Sequence, residues 1–193
     1  ADWLTRHRDI HHAGYLRRVK AILQRYPRLQ GRTIEELLRR IGDIPQEVRD
    51  ELIFEAGGHA DHQFLWKILG PARANNAPIG ELASVLTRQF GSFDGFRAQF
   101  EQAALGLRGP GWAFLSRVAP DGVETLEILA LPGNGSVLPL GKPGILICDL
   151  WEHAYEREYG DDRAAWLSAY WSIVNWAECE RRLICLREVR THL

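Results

Sequence analysis

Ile145-Leu-Ile-Cys148 runs directly into Asp149-Leu-Trp-Glu-His-Ala-Tyr155. The first four residues have the length and apolar character of a fully buried strand. Asp149 stands at the end of that strand and His153 just past it, four residues on. A carboxylate and an imidazole are thus set side by side where the strand ends. Such a pair can serve as half of a metal-binding set, provided that other elements supply the rest.

The histidines supply it. There are seven, His7, His11, His12, His59, His62, His153 and His192, and six of them fall into three groups on separate elements. His7 and His11 are four apart in the first apolar-periodic segment and so share one face of a helix, as do His59 and His62, three apart, in the second. One imidazole from each helix, with Asp149 and His153, makes a set of three nitrogens and one oxygen suited to iron, manganese or zinc. The spacing leaves open which histidine of each helical pair takes part. Other metal signatures are missing: there is no HExxH, no paired Glu-x-x-His of a di-iron bundle and no Cys/His finger. Glycine-rich phosphate loops and the Gly-x-Ser-x-Gly elbow are missing too, which leaves nucleotide binding and serine hydrolysis without a motif.

Outward from the strand, Trp112–Val118 and Val123–Leu129 read as two more strands joined by the turn Pro120-Asp121-Gly122. The segment from about Arg163 to Arg187 reads as one helix with Trp166, Tyr170, Ile173, Val174 and Trp176 as its buried stripe. Ile79–Phe90 and Phe93–Leu107 are helical. Before them, Gly70–Pro78, with two prolines and two asparagines, is the single linker-like change of composition and marks a domain boundary. The N-terminal part is helical: Trp3 to Tyr26 up to Pro27, a short helix opened by the capping box Thr33-Ile-Glu-Glu36 and closed at Gly42, and a long helix from Pro45 to Leu69. That last helix contains Gly57-Gly58, which cost about 1 kcal/mol each in a helix interior and therefore point to a close approach or a bend.

The composition agrees with a folded soluble protein. The chain has 193 residues and balances 24 Lys+Arg against 25 Asp+Glu, so it lacks the basic excess of a protein that coats nucleic acid. It has no apolar run of about 20 residues to span a membrane. It opens ADWLTRHRDIHH without a charged-then-apolar leader, from which a cytoplasmic location is expected. Cys148, Cys179 and Cys185 are odd in number and form no CxxC, so no disulfide framework is expected.

Asp149-Leu-Trp-Glu-His-Ala-Tyr155, followed by Trp171-Ser-Ile-Val-Asn-Trp176, resembles the signature of the iron/manganese superoxide dismutase family. His11-His-Ala-Gly-Tyr15, Gly57-Gly-His-Ala-Asp-His62 with Trp66, and Gly109-Pro-Gly-Trp112 agree with it, in order, over nearly the whole chain. The resemblance implies an α+β protein: an N-terminal α-helical hairpin domain over residues 1–73, and a C-terminal α/β domain over 74–193 with a three-stranded antiparallel sheet. It implies one Fe or Mn ion per subunit, held by His7, His62, Asp149 and His153, and conversion of superoxide to oxygen and hydrogen peroxide. It further implies that Tyr15 and His11 gate entry and relay protons, and that Trp66, Trp112 and Trp151 form the aromatic surroundings. Glu152 would reach across a homodimer, or a dimer of dimers, to the facing subunit's ligand histidine. Arg163 resembles the family's funnel arginine, and a plain solvated charge accounts for it equally well.

The chain departs from the family in places that matter. The family sets a Gln against the metal-bound solvent, from the position of Gly58 or from the loop Gly133-Asn-Gly-Ser136, and neither place has one here. Asn134 is the nearest amide, one methylene shorter. Glu156 replaces the usual interface Tyr, and Phe114 a frequent Trp. These changes leave open a second reading, in which the same fold and metal serve another redox or oxygen-dependent reaction on a small organic substrate. A third reading is a binding protein with a vestigial site, against which retention of four ligands speaks.

Overall fold

The computed structural model of the chain describes residues 10, 12–119 and 123–188. Among the described residues the first α-helix is α1 (Ala13–Arg25), which stops where Pro27 begins a 3-10 turn (Pro27–Leu29). The Thr33 capping box is present: its hydroxyl accepts from Glu36 N at 3.1 Å and its own N–H donates to Glu36 at 2.7 Å, opening α2 (Ile34–Arg39). A 3-10 turn (Ile41–Asp43) rather than Gly42 alone ends that unit. Helix α3 (Gln46–Ile68) then returns along α1. Arg18 bonds Glu55 and Arg25 bonds Glu51, so residue numbers rise on one helix as they fall on the other, which makes the pair an antiparallel hairpin. Val19, Ile22, Leu37, Leu38, Val48 and Leu52 fill the core between these helices.

Beyond the linker, α4 (Gly80–Phe90) and α5 (Phe93–Gly106) lead into the sheet. Its strands are β1 (Gly111–Val118), β2 (Thr125–Pro132) and β3 (Gly144–Asp149), in the order β2-β1-β3 with both pairings antiparallel. The turn residues 120–122 lie outside the described residues, although Val118 pairs with Thr125 on either side of them. Every residue of β3 is buried, which is why Ile145–Cys148 are all apolar and do not alternate. The β1–β3 register sets Trp112 opposite Asp149. Helix α6 (Glu152–Tyr159) follows β3 after a two-residue step.

The single C-terminal helix expected from Arg163 onward is three pieces: α7 (Arg163–Tyr170), a 3-10 turn (Trp171–Ile173) and α8 (Trp176–Glu188). The linker causes the break. Gly70 N donates to Ile173 O at 2.7 Å, Arg73 N to Ser172 O at 2.9 Å, and Asn175 N to Ile68 O at 2.7 Å. The Asn76 amide adds bonds to Trp171 O and Val174 O at 2.9 and 2.7 Å. Backbone groups that a continuous helix would pair internally are spent on the linker. Leu65 and Ile68, at the end of α3, pack into the core of the second domain with Trp112, Phe96 and Phe100. No helix among the described residues is long and apolar enough to cross a membrane.

Candidate metal centre

His62 on α3, Asp149 at the end of β3 and His153 in the first turn of α6 come together: a ligand atom from each lies within 4.8 Å of the others. His62 and Asp149 are almost wholly buried, at 0% and 1% exposure. The i−4 geometry of α3 lets His62 Nδ1 donate to Gly58 O at 2.5 Å, which fixes the tautomer and leaves Nε2 unprotonated as a ligand atom. Asp149 is held on both its groups. Its Oδ1 accepts from Trp151 N at 2.9 Å and its main-chain O accepts from the Trp166 indole at 2.8 Å. Its Oδ2 lies 3.1 Å from His153 Nε2. A buried carboxylate and two imidazoles, His62 already anchored by its outer nitrogen, form a donor set that fits a hard or borderline divalent or trivalent cation. His7 and His11, the candidates from the first helix, lie outside the described residues.

The rings around these donors restrict access. Trp112 meets His62 edge-on at 4.9 Å and 82°, Tyr15 lies 5.6 Å from it, and Trp66 6.3 Å. Trp151 stacks on His153 at 5.8 Å and its indole donates to Gly133 O at 3.3 Å. The three tryptophans expected around the metal are therefore all at the site. Tyr15 is 7% exposed, and burial above all raises its pKa, so the phenol keeps its proton. That proton points to Asn134 Oδ1 at 3.5 Å. Asn134 Nδ2 is buried and finds no acceptor among the described residues.

Gly57 and Gly58 are explained here. A Cβ on Gly57 would stand 2.2 Å from Asn134 O, and one on Gly58 would stand 2.7 Å from both Asn134 Nδ2 and the Tyr15 ring. The loop that carries Asn134 lies directly on the helix, and only hydrogen at these two positions permits it. The Ser136 hydroxyl pins the same loop by donating to Asp61 Oδ1 at 2.8 Å.

Arg163 is half-buried and engaged on several carbonyls. Its guanidinium donates to Leu107 O, Gly109 O and Leu150 O at 2.9, 2.9 and 3.2 Å, tying the approach to β1 to the end of β3. Glu152 and Glu156 are exposed on α6. Several residues were not singled out by the sequence: Trp166, which holds Asp149; the Asp61–Ser136 pair; and His12 with His59, which stack at 4.5 Å beside His62. Burial holds both imidazoles below the ordinary histidine range, His12 at about 4. The position of His12 and His59 within the histidine groups was their one sequence signal.

Comparison with known proteins agrees with this geometry. Residues 1–70 match the family model described as "Iron/manganese superoxide dismutases, alpha-hairpin domain", and residues 78–182 the corresponding C-terminal domain. The chain is similar to "Superoxide dismutase [Mn]" of Thermus thermophilus, with 36% identity over 174 residues, 90% of this chain and 83% of that protein. With both domain models matched in order and a metal-binding donor set at their junction, the chain belongs to the iron/manganese superoxide dismutase family of oxidoreductases.

Proposed function

We propose that each subunit holds one iron or manganese ion through His7, His62, Asp149 and His153 and dismutates superoxide there. The convergence of His62, Asp149 and His153 from three elements of two domains carries the reading. When bound, the ion would supply the one-electron couple that conversion of superoxide to oxygen and hydrogen peroxide needs. The protein's own residues do the rest. Tyr15 holds a proton at its hydroxyl and, with His11, passes protons inward for peroxide formation. Asn134 accepts from Tyr15 through Oδ1, which leaves Nδ2 as a buried donor in the place of the family's Gln. Trp66, Trp112 and Trp151 exclude water.

Glu152, exposed at the start of α6, faces a second subunit in a homodimer and anchors that subunit's ligand histidine. The domains divide at residues 73 and 74, and the protein works in the cytoplasm, with which the free thiols of Cys148, Cys179 and Cys185 are consistent. The close packing of Asn134 against Tyr15 and Gly58 favours dismutation over a site opened to an organic substrate.

The test is elemental analysis with superoxide dismutation per bound ion, for the wild type, Asn134→Ala and Asn134→Gln. The expected result is iron or manganese near one per subunit, measurable dismutation in the wild type, less in Asn134→Ala and more in Asn134→Gln. Full loading without dismutation in wild type and Asn134→Gln alike overturns the reading. Gly58→Gln is no substitute, because its Cβ occupies the place of the Asn134 amide.

A further inference from the structure

The ligand His62 does not stand alone against its tryptophan neighbours. His12, at the N-terminal edge of α1, lies nearly parallel to it, with 5.7 Å between centroids and 10° between planes. The other neighbour of His12 is His59, at 4.5 Å and 26°. His62 in turn is nearly parallel to His153 at 5.7 Å and 26°, and His153 to Trp151 at 5.8 Å and 18°. Five rings are thus linked in series by near-parallel pairs, with both described ligand imidazoles inside the series. A series of this kind fixes ring planes only if its members cannot turn, and a histidine turns freely about χ2 unless a ring nitrogen is engaged.

The Trp66 indole engages it. Trp66 Nε1–H donates to His12 Nδ1 at 3.2 Å, so the ring proton of His12 is on Nε2 and the ring plane is set by an indole one turn beyond His62 on α3. Trp66 and His62 are four residues apart and face the same way, so a single helix face fixes the ligand and the wall against which it rests.

We propose that His12 is a positioning residue for the metal site: held by the Trp66 indole, it fixes the plane of His62 and thereby the direction of the His62 Nε2 lone pair. This rests on His62 being a ligand. It goes beyond that by giving a role to two residues that touch no reacting atom. Without the wall, His62 keeps its bond to Gly58 O but can tilt about it. The cost appears as weaker, less uniform coordination, with the fold intact. Losses of tenfold or more are usual when a group that orients a metal-bound histidine is removed.

The test uses the full chain loaded with cobalt(II), whose visible ligand-field bands report coordination geometry without turnover. Three variants are compared with the wild type: His12→Leu removes ring and acceptor, His12→Gln keeps a flat acceptor for Trp66, and Trp66→Phe removes the donor together with part of the ring. The expected results are shifted or broadened bands and about tenfold faster cobalt release to a chelator in His12→Leu. Trp66→Phe should shift in the same direction, and His12→Gln should recover most of the wild-type release rate. Bands and release rates that are unmoved in both His12→Leu and Trp66→Phe overturn the proposal. Equal impairment of His12→Leu and His12→Gln also overturns it, since that assigns the effect to packing volume alone. Should His12→Leu fail to fold, Trp66→Phe against the wild type decides. A wild type that takes up no cobalt, or takes it up equally after His62→Ala, refutes the ligand assignment itself, an outcome separate from the fate of His12.

Discussion

Replacing Gly57 by alanine should destabilise the protein, although in an isolated helix it would stabilise. The helix-propensity gain of Gly→Ala is about 1 kcal/mol. Against it, the new Cβ would stand 2.2 Å from Asn134 O, where an ordinary carbon–oxygen contact needs roughly 3.3 Å. The Asn134 loop must then withdraw by about 1 Å, because α3 is a continuous helix packed on both sides and cannot. That displacement takes the loop out of reach of its two fastenings, the Trp151 indole on Gly133 O at 3.3 Å and the Ser136 hydroxyl on Asp61 at 2.8 Å. At about 1 kcal/mol for each bond the loss is about 2 kcal/mol. The net effect is a destabilisation of about 1 kcal/mol, or a Tm lowered by about 2–4 °C in a chain of this size. Dismutation per bound ion should fall as well, since the Asn134 amide leaves Tyr15. Thermal melts followed by circular dichroism, with activity normalised to metal content, provide the measurement. Gly106→Ala, whose Cβ meets nothing within 4 Å, is the control and should not lower Tm. If Gly57→Ala melts at or above the wild type with unchanged activity per ion, the loop does not rest on Gly57 and the account of the glycine pair is wrong.

Asp149→Ala and His62→Ala should each lose most of the bound metal while keeping the far-ultraviolet dichroism of the wild type; wild-type metal content in both variants would count against the ligand set. Glu152→Ala should weaken dimerisation and metal retention together, as followed by sedimentation velocity and metal analysis at micromolar concentration. The Glu124 carboxylate is held at 2.5 Å by Arg187 and 2.7 Å by Arg117, and these partners push its pKa down to about 2. A carboxylate with a lowered folded-state pKa adds stability above its unfolded pKa, near 4.5, and loses it as pH falls toward 2. Glu124→Gln should therefore cost about 1–2 kcal/mol at pH 7 and almost nothing near pH 2, read from urea melts across that range. A pH-independent cost would assign the effect to packing.

What could be read from the sequence was whatever depends on near neighbours. The apolar run before Asp149, the i, i+3 histidines of α3 and the Thr33–Glu36 capping box are local patterns, and each appears where its spacing places it. Gly57-Gly58 signalled a close approach through its cost to the helix, without naming the Asn134 loop as the approaching group. The break at Val174-Asn175 could not be read, because the stripe from Trp166 to Trp176 keeps helical spacing across it. The break is set by linker residues a hundred positions earlier, which take the backbone hydrogen bonds. The partners of Arg163 could not be read for the same reason, since three carbonyls from distant segments decide its surroundings. The role of His12 could not be read either, because spacing along the chain says nothing of an indole on α3.

These non-local ties hold the two domains together through residues other than the metal-binding donors. Its donors come from two domains: His62 from a helix of the first, Asp149 and His153 from the strand end and helix of the second. Left to the linker alone, two such bodies would move and the donors would separate. Helix α3 removes that freedom by burying Leu65 and Ile68 in the second domain's core, only one to two turns beyond His62. The backbone bonds of Gly70, Arg73 and Asn175 then fasten the end of that helix to the turn after α7. On the other side, Trp166 from α7 grips the main chain of Asp149. The chain from His62 to Asp149 thus runs through buried contacts and hydrogen bonds at every step, none of which includes a ligand atom. An ion binding there adds its free energy to a framework already in place. Loss of a ligand should therefore empty the site without opening the junction between the domains.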